Sequence, residues 1–201
     1  MNQLLKSISY IFHPLLMPIL GVVFYFSKTP RFIPEFVIKA KIFSVTILTV
    51  VLPILIFYLL RTINKVETVH LKTPKERKLP LIINSIILTL IVIQVLPKRD
   101  IPELHFFFIG ILISTAICYG LAIVNFKASI HMIGTSGFFM FALALAFYFK
   151  ININGTIIIM CTLLGAVATS RLHMKAHTPI ELLVGFVVGF TPQLILLKYW
   201  P

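Results

Sequence analysis

Seven long apolar stretches constrain the fold of this chain more than any other feature. A helix of about 20 apolar residues crosses a bilayer core about 30 Å thick. Stretches close to that length occur at 8–27, 38–60, 80–97, 104–125, 131–149, 156–170 and 180–198. The first contains Pro14 and Pro18, which would kink a helix or leave it half inserted. The sequence therefore predicts an all-α integral membrane bundle of six or seven spans, with residues 1–201 as a single transmembrane domain.

The composition excludes a soluble domain and disfavours a nucleic-acid binder. Apolar residues make up 59% of the chain and charged residues 12%, about half the charged share of a globular protein, and the mean hydropathy is +1.02. The 18 Lys and Arg residues outnumber the 6 Asp and Glu residues and lie between apolar runs, where lipid head groups are the nearer partners. Cys118 and Cys161 lie inside apolar runs without metal-ligand spacing, so we predict core thiols, no metal and no cofactor.

Four clusters of charged and histidine residues interrupt the apolar runs. Three of them, at 70–80, 127–131 and 170–181, follow the second, fourth and sixth stretches. Because successive helices cross the membrane in opposite directions, these three clusters are expected to emerge on one side and to converge. A fourth cluster lies on the other side, where we expect a solvated turn of Lys98, Arg99, Asp100 and Glu103.

The three converging clusters favour an anionic ligand. Their candidate ligand groups are two of their histidines, the carboxylate of the third cluster and their cations: His131, His177, Glu181, Lys72, Lys75, Arg77, Lys78, Lys127, Arg171 and Lys175. Guanidinium and ammonium groups suit phosphate oxygens, and at a membrane surface the phosphate would belong to a lipid. A divalent metal would require several carboxylates or an HExxH pattern, so a metal site is the less favoured interpretation.

The spacing of His177 and Glu181 indicates a specific arrangement. Glu181 lies four positions after His177, so on a helix that starts near Pro179 they share one face about one turn apart. The carboxylate can then hold one ring nitrogen and leave the other free to attack phosphorus. The alternative is an ion pair that only positions the helix in the head-group layer.

These residues resemble the type-2 phosphatidic-acid phosphatase superfamily. Its third motif, S-R-x5-H-x3-D, is similar to Ser170-Arg171, then His177, then Glu181, with Glu in place of Asp. Its second motif, P-S-G-H, is similar to the segment 128–131, which keeps Ser129 and His131. Its first motif, K-x6-R-P, aligns on Lys72 and Pro80 but has Leu79 in place of Arg, and the nearest substitute is Arg77, two residues earlier.

The resemblance covers about residues 72–189 and implies a metal-independent, two-step phosphoester hydrolysis. His177 would be the nucleophile that forms a phosphohistidine, Glu181 would orient it, and His131 would be the general acid. The phosphate would be held by Arg171, Ser129, Lys72 and Ser170, with Arg77 as our own substitution.

The resemblance also implies a membrane lipid substrate and a site on the periplasmic face of a bacterial inner membrane. The lipid could be phosphatidic acid, phosphatidylglycerol phosphate, a polyprenyl diphosphate or a lipid A phosphate. Two alternatives stay open: a degenerate protein that binds lipid phosphate without turnover, and a small transporter. Transporters often have two related halves with broken helices, and no second half matches Pro14 and Pro18.

Overall fold

All regular structure in the described part of the chain is helical. The computed structural model describes residues 2–65 and 73–201. Its α-helices are α1 (Asn2–Ile11), α2 (Met17–Lys28), α3 (Glu35–Thr46), α4 (Leu52–Thr62), α5 (Pro74–Leu90), α6 (Pro102–Ile123), α7 (Ile130–Phe149), α8 (Asn154–His173) and α9 (Pro179–Leu196). A π-helical turn at Ile47–Val51 joins α3 to α4, and another at Ile91–Val95 extends α5.

Seven of the resulting helical segments are long and apolar enough to cross a membrane. They are Ser7–Lys28, Glu35–Thr62, Pro74–Val95, Pro102–Ile123, Ile130–Phe149, Asn154–His173 and Pro179–Tyr199. The predicted all-α membrane bundle is therefore confirmed, with seven candidate spans among the described residues. The chain is an integral membrane protein.

The first span is broken at the predicted place. The helix α1 ends at Ile11, a short 3-10 turn covers Pro14–Leu16, and α2 continues from Met17. Pro14 lacks the N–H group that would continue α1. His13 caps the turn, because its Nδ1 accepts a hydrogen bond of 3.3 Å from the backbone N–H of Leu15.

The third span starts at Pro74, six residues before the predicted start at residue 80. Thr73 caps this helix, and its hydroxyl accepts from the N–H of Glu76 at 3.3 Å. Pro80 therefore lies inside α5 and does not mark its beginning. Proline is tolerated within membrane helices because neighbouring groups can satisfy the freed carbonyl, so the interpretation of Pro80 as a helix boundary was wrong.

Glu103 corrects the prediction of a solvated turn on the opposite face. It lies in the first turn of α6, and its residue surface is 0% exposed. Its carboxylate accepts a hydrogen bond from Tyr25 Oη at 3.1 Å and forms an ion pair with Arg31 at 2.6 Å. A buried carboxylate needs such partners, and here they fasten α2 and the segment after it to α6.

The outer surface of the bundle is apolar. Ile86, Ile158 and Leu183 are more than half exposed, as lipid-facing residues of membrane helices are. Cys161 lies on an exposed side of α8, whereas Cys118 is buried. The prediction of two core thiols is therefore correct only for Cys118.

Glycines allow α7 and α9 to pack closely. A Cβ atom placed on Gly185 would lie 2.7 Å from the carbonyl oxygen of Ser129, and one on Gly189 would overlap the carbonyl of Ile133. The hydroxyl of Ser136 on α7 donates a hydrogen bond of 2.9 Å to the carbonyl of Phe186 on α9. Small residues and interhelical hydrogen bonds are the usual means of helix association in membranes, and here they fix the start of α7 beside the start of α9.

Gly189→Ala should destabilise the bundle by about 1–3 kcal/mol, because its Cβ would meet backbone that cannot move aside cheaply. Thermal unfolding in detergent measures this change. Gly165→Ala on α8 is the matched control, since nothing lies within 4 Å of a Cβ at that position. An equal loss of stability in both variants would contradict the close-packing interpretation.

Candidate functional site

Side chains and backbone from the predicted clusters meet at one end of the bundle. Arg77 on α5 is 4% exposed, and its Nη1 donates a hydrogen bond of 2.7 Å to the carbonyl of Ala128, just before α7. Lys127 Nζ donates one of 3.1 Å to the carbonyl of Ala176, in the loop before α9. The first contact joins the start of α5 to the segment before α7, and the second joins that segment to the loop that carries His177.

The start of α9 is a capping box that also holds His177. The hydroxyl of Thr178 accepts from the N–H of Glu181 at 3.3 Å, and Glu181 Oε2 accepts from the N–H of Thr178 at 3.1 Å. The same Oε2 lies 2.8 Å from Nδ1 of His177. The carbonyl of Glu181 in turn accepts from the N–H of Ser129 at 3.1 Å, so one residue caps α9, holds the imidazole and joins α7.

The imidazole of His177 is buried among cations. Its side chain is 2% exposed, against 19% for Glu181, which is not the exposure of an ion pair at the rim. Burial lowers the pKa of His177, the hydrogen bond to Glu181 raises it in part, and the charges of Arg77, Lys127 and Arg171 lower it, so that all these effects together place the pKa at about 4. Burial, with a smaller effect from Arg77, also lowers the pKa of Lys127.

The protonation state of His177 follows from this environment. With a pKa of about 4 the ring is neutral at pH 7. A neutral ring that faces a carboxylate through Nδ1 carries its proton there and has a lone pair on Nε2. His177 therefore has the tautomer of a nucleophile or a general base.

The N-terminal segment forms another side of the site, which sequence analysis did not identify. The hydroxyls of Ser9 on α1 and Ser170 on α8 are 2.6 Å apart, and the carbonyl of Ser9 accepts from Nε2 of His131 at 3.2 Å. The rings of His13 and His131 meet edge to face, with centroids 5.5 Å apart. The break at His13-Pro14 was the available signal, because a histidine at a break within a membrane span needs polar surroundings.

Arg171 is almost completely buried and only partly satisfied. It is 8% exposed, and its Nη1 lies 3.5 Å from the hydroxyl of Ser9. Its Nε is buried and has no hydrogen-bond partner among the described residues. A buried donor without a partner costs about 1–3 kcal/mol of stability. The guanidinium of Arg171 therefore still has a donor available to bind an anion.

The structure places the predicted residues as follows. Arg77, His177 and Glu181 surround one region, while His131, Ser170 and Arg171 meet at Ser9. The hydroxyl of Ser129 is buried and caps α7, where it accepts from the N–H of Met132 at 3.4 Å. Lys72 lies outside the described residues. In the two described ranges, 2–65 and 73–201, no three His, Cys, Asp or Glu side chains are grouped as metal ligands.

Comparison with known proteins gives no relatives: no family model, no curated protein and no solved structure matches this chain.

The titration of His177 should respond in opposite directions to its two kinds of neighbour. Lys127→Met removes a cation and should raise the pKa of His177 above about 4, whereas Glu181→Gln removes the anionic partner and should lower it. NMR titration of ring-labelled histidine measures both shifts, and the His177→Ala spectrum assigns the signal. Shifts of the same sign in the two variants would contradict the environment described above.

Proposed function

We propose that this protein is a membrane lipid phosphatase, which hydrolyses a phosphate monoester or diphosphate of a lipid through a phosphohistidine. One observation carries the proposal: the buried ring of His177 is held through Nδ1 by Glu181 at 2.8 Å, and the charges of Arg77, Lys127 and Arg171 act on it. A positioned imidazole supplies the nucleophile, and the cations offset the charge of the phosphate. The similarity of residues 170–181 to the S-R-x5-H-x3-D motif agrees with this chemistry.

In the first step of the proposed reaction, Nε2 of His177 attacks phosphorus and the bond from phosphorus to the lipid oxygen breaks. His131 enters this step as an imidazolium beside the bound phosphate, donates the proton on its Nε2 to that oxygen and becomes neutral. The oxygen leaves as a lipid alcohol, or as a lipid phosphate when the substrate is a diphosphate. Glu181 stabilises the positive charge that forms on the ring of His177. The products of this step are the leaving lipid and phosphohistidine.

In the second step, water replaces His177 on phosphorus. The ring of His131, which lost its proton in the first step, takes a proton from the water as its oxygen attacks. The bond between phosphorus and Nε2 breaks, inorganic phosphate leaves, and both histidines return to their starting states. The proton that His131 gives to the lipid oxygen in the first step is thus replaced by one from water in the second.

Phosphate binding is assigned to the cations and hydroxyls around these histidines. Arg171 contributes a buried guanidinium with an unsatisfied Nε, and Arg77 and Lys127 contribute charge at the ends of α5 and α7. Ser170 supplies a hydroxyl beside Arg171. The N–H of Ser129 donates to the carbonyl of Glu181, and its hydroxyl accepts from the N–H of Met132. Ser129 is therefore less available to bind phosphate than Arg171 or Ser170. The resemblance to the K-x6-R-P motif adds Lys72 to the proposed phosphate-binding residues.

The position of the site suits a lipid substrate. The histidines lie in or beside the ends of the candidate spans that start at Ile130 and Pro179, and the ends of a membrane span are where lipid head groups are expected. The proposal includes a bacterial inner membrane, with this end on the periplasmic face.

The contacts of Ser9 favour a second candidate, a protein that binds lipid phosphate without turnover. Ser9 engages His131, Ser170 and Arg171 together, so the groups assigned to catalysis also have a structural partner. A binding protein would need only the cations.

Purified protein should release inorganic phosphate from a panel of lipid phosphates and diphosphates in the presence of a metal chelator. Vanadate should inhibit the release, because it can imitate the five-coordinate state of phosphoryl transfer. Activity that disappears with chelator and returns with a divalent ion would contradict the mechanism.

His177→Ala separates the two candidate functions. In the proposed phosphatase it abolishes phosphate release, while binding of lipid phosphate persists through Arg171 and Arg77. Lys175→Gln is a control for general effects of substitution in this loop. If the wild-type protein binds phosphatidic acid but releases no phosphate, the binding protein is the correct function.

Glu181→Gln should lower turnover by roughly 10²-fold to 10⁴-fold, because the charge that stabilises the imidazolium is lost. Glutamine can serve at this place in a capping box, so stability should change by only about 0–1 kcal/mol. Glu181→Asp keeps the charge and should lower turnover less than Glu181→Gln does. Measuring turnover and thermal stability for both variants separates catalysis from capping, and normal turnover in Glu181→Gln would remove Glu181 from the mechanism.

A further inference from the structure

The helix α1 covers the part of the site that contains His131, Ser170 and Arg171. We infer that α1 is a lid, in which Ser9 occupies the phosphate-binding groups until a lipid phosphate replaces it. This inference rests on the proposed function for the identity of the anion, and it adds a resting state and an opening step.

Ser9 presents two oxygens where a phosphate would present its own. Its hydroxyl is 2.6 Å from the hydroxyl of Ser170 and 3.5 Å from Nη1 of Arg171. Its carbonyl accepts a hydrogen bond of 3.2 Å from Nε2 of His131, the atom that protonates the leaving oxygen in the proposed reaction. Ser9 is 5% exposed, so while it holds these three groups a lipid phosphate cannot reach them.

Ser9 is an incomplete substitute for an anion. It brings no charge to the guanidinium of Arg171, whose Nε stays buried without a partner in the described chain. A phosphate has more acceptor oxygens and forms charge-assisted hydrogen bonds, which are about twice as strong as neutral ones. Exchange of Ser9 for a phosphate is therefore favourable for Arg171, and the bound anion stabilises the open state.

The surroundings of α1 suit a segment that can lift away. The turn at His13 and Pro14–Leu16 separates α1 from α2, so a change in the angle of α1 does not require α2 to move. One side of it packs through Ile8 and the adjoining Phe12 against Val167 and Leu182. The other side exposes Tyr10 and Ile11, at 63% and 60%, and apolar residues of this kind lie readily in the head-group layer.

Accessibility of Ser9 tests the lid directly. In a chain with Cys118 and Cys161 replaced by alanine, Ser9→Cys should react slowly with a water-soluble maleimide. Bilayers that contain phosphatidic acid should raise the rate several-fold, whereas diacylglycerol should not. Inorganic phosphate alone is a further arm, and an equal rise there would show that the phosphate group is sufficient without its lipid. Tyr10→Cys, on the same helix but exposed, is the matched control and should react rapidly throughout.

Phosphate release from the wild-type protein, measured in parallel, distinguishes this inference from the proposed function. If phosphatidic acid opens Ser9→Cys but no phosphate is released, the lid is correct and hydrolysis is not. If phosphate is released while the labelling of Ser9→Cys stays constant, the lid is overturned and the phosphatase stands. Rapid labelling without lipid, or an equal rise with diacylglycerol, also overturns the lid.

A crosslink gives a second test that does not depend on labelling. The hydroxyl oxygens of Ser9 and Ser170 are within contact distance, so the pair Ser9→Cys and Ser170→Cys in the same background should form a disulfide. Both states of this variant lack the two hydroxyls, so the comparison is made within one sample: oxidation should weaken the binding of phosphatidic acid at least several-fold relative to the same protein after reduction. Full binding by the oxidised protein would overturn the lid.

Discussion

The close contact between α7 and α9 is the interaction on which the site depends. Gly185 lies against the backbone of Ser129, and the N–H of Ser129 bonds to the carbonyl of Glu181. His131 stands two residues after Ser129, and His177 stands just before α9, so this contact sets the positions of both imidazoles. A larger residue at Gly185 would separate the helices by more than a hydrogen bond can tolerate. The packing of the first turns of α7 and α9 thus determines the geometry of the candidate site.

Buried charged side chains have different kinds of partner at the two polar ends of the bundle. At one end the carboxylate of Glu103 is fully buried and is matched by Arg31 and Tyr25, as a structural ion pair should be. At the other end Arg77 and Arg171 are both buried, and Glu181 is shared with His177. Among the described residues, the buried Nε of Arg171 has no hydrogen-bond partner, and a cationic region of this kind attracts anions. This asymmetry, more than any single residue, distinguishes the candidate site from a structural cluster.

Sequence patterns predicted the spans and the His177–Glu181 pair because both depend on local spacing. Hydropathy identifies helices of membrane length, and residues four apart in a first helical turn must approach each other. Ser9 could not be predicted, since its partner Ser170 is 161 residues away and no local pattern encodes that contact. Glu103 was misread because its charge suggested solvent, whereas burial depends on how the start of α6 faces α2. The early start of α5 was not predicted, because the residues from Pro74 to Leu79 are mostly charged, whereas the cap at Thr73 begins the helix before the apolar stretch.

The glutamate at position 181, where the similar motif has aspartate, is explained by the fold. Its Oε2 accepts from both the N–H of Thr178 and Nδ1 of His177. A capping box requires the reach of Glu or Gln to return to the residue that precedes the helix, and aspartate is one methylene shorter. The longer side chain therefore combines the start of α9 and the orientation of His177 in one carboxylate oxygen. It follows that the imidazole is fixed to the helix backbone itself, and its Nε2 can move relative to α7 only if the start of α9 moves with it.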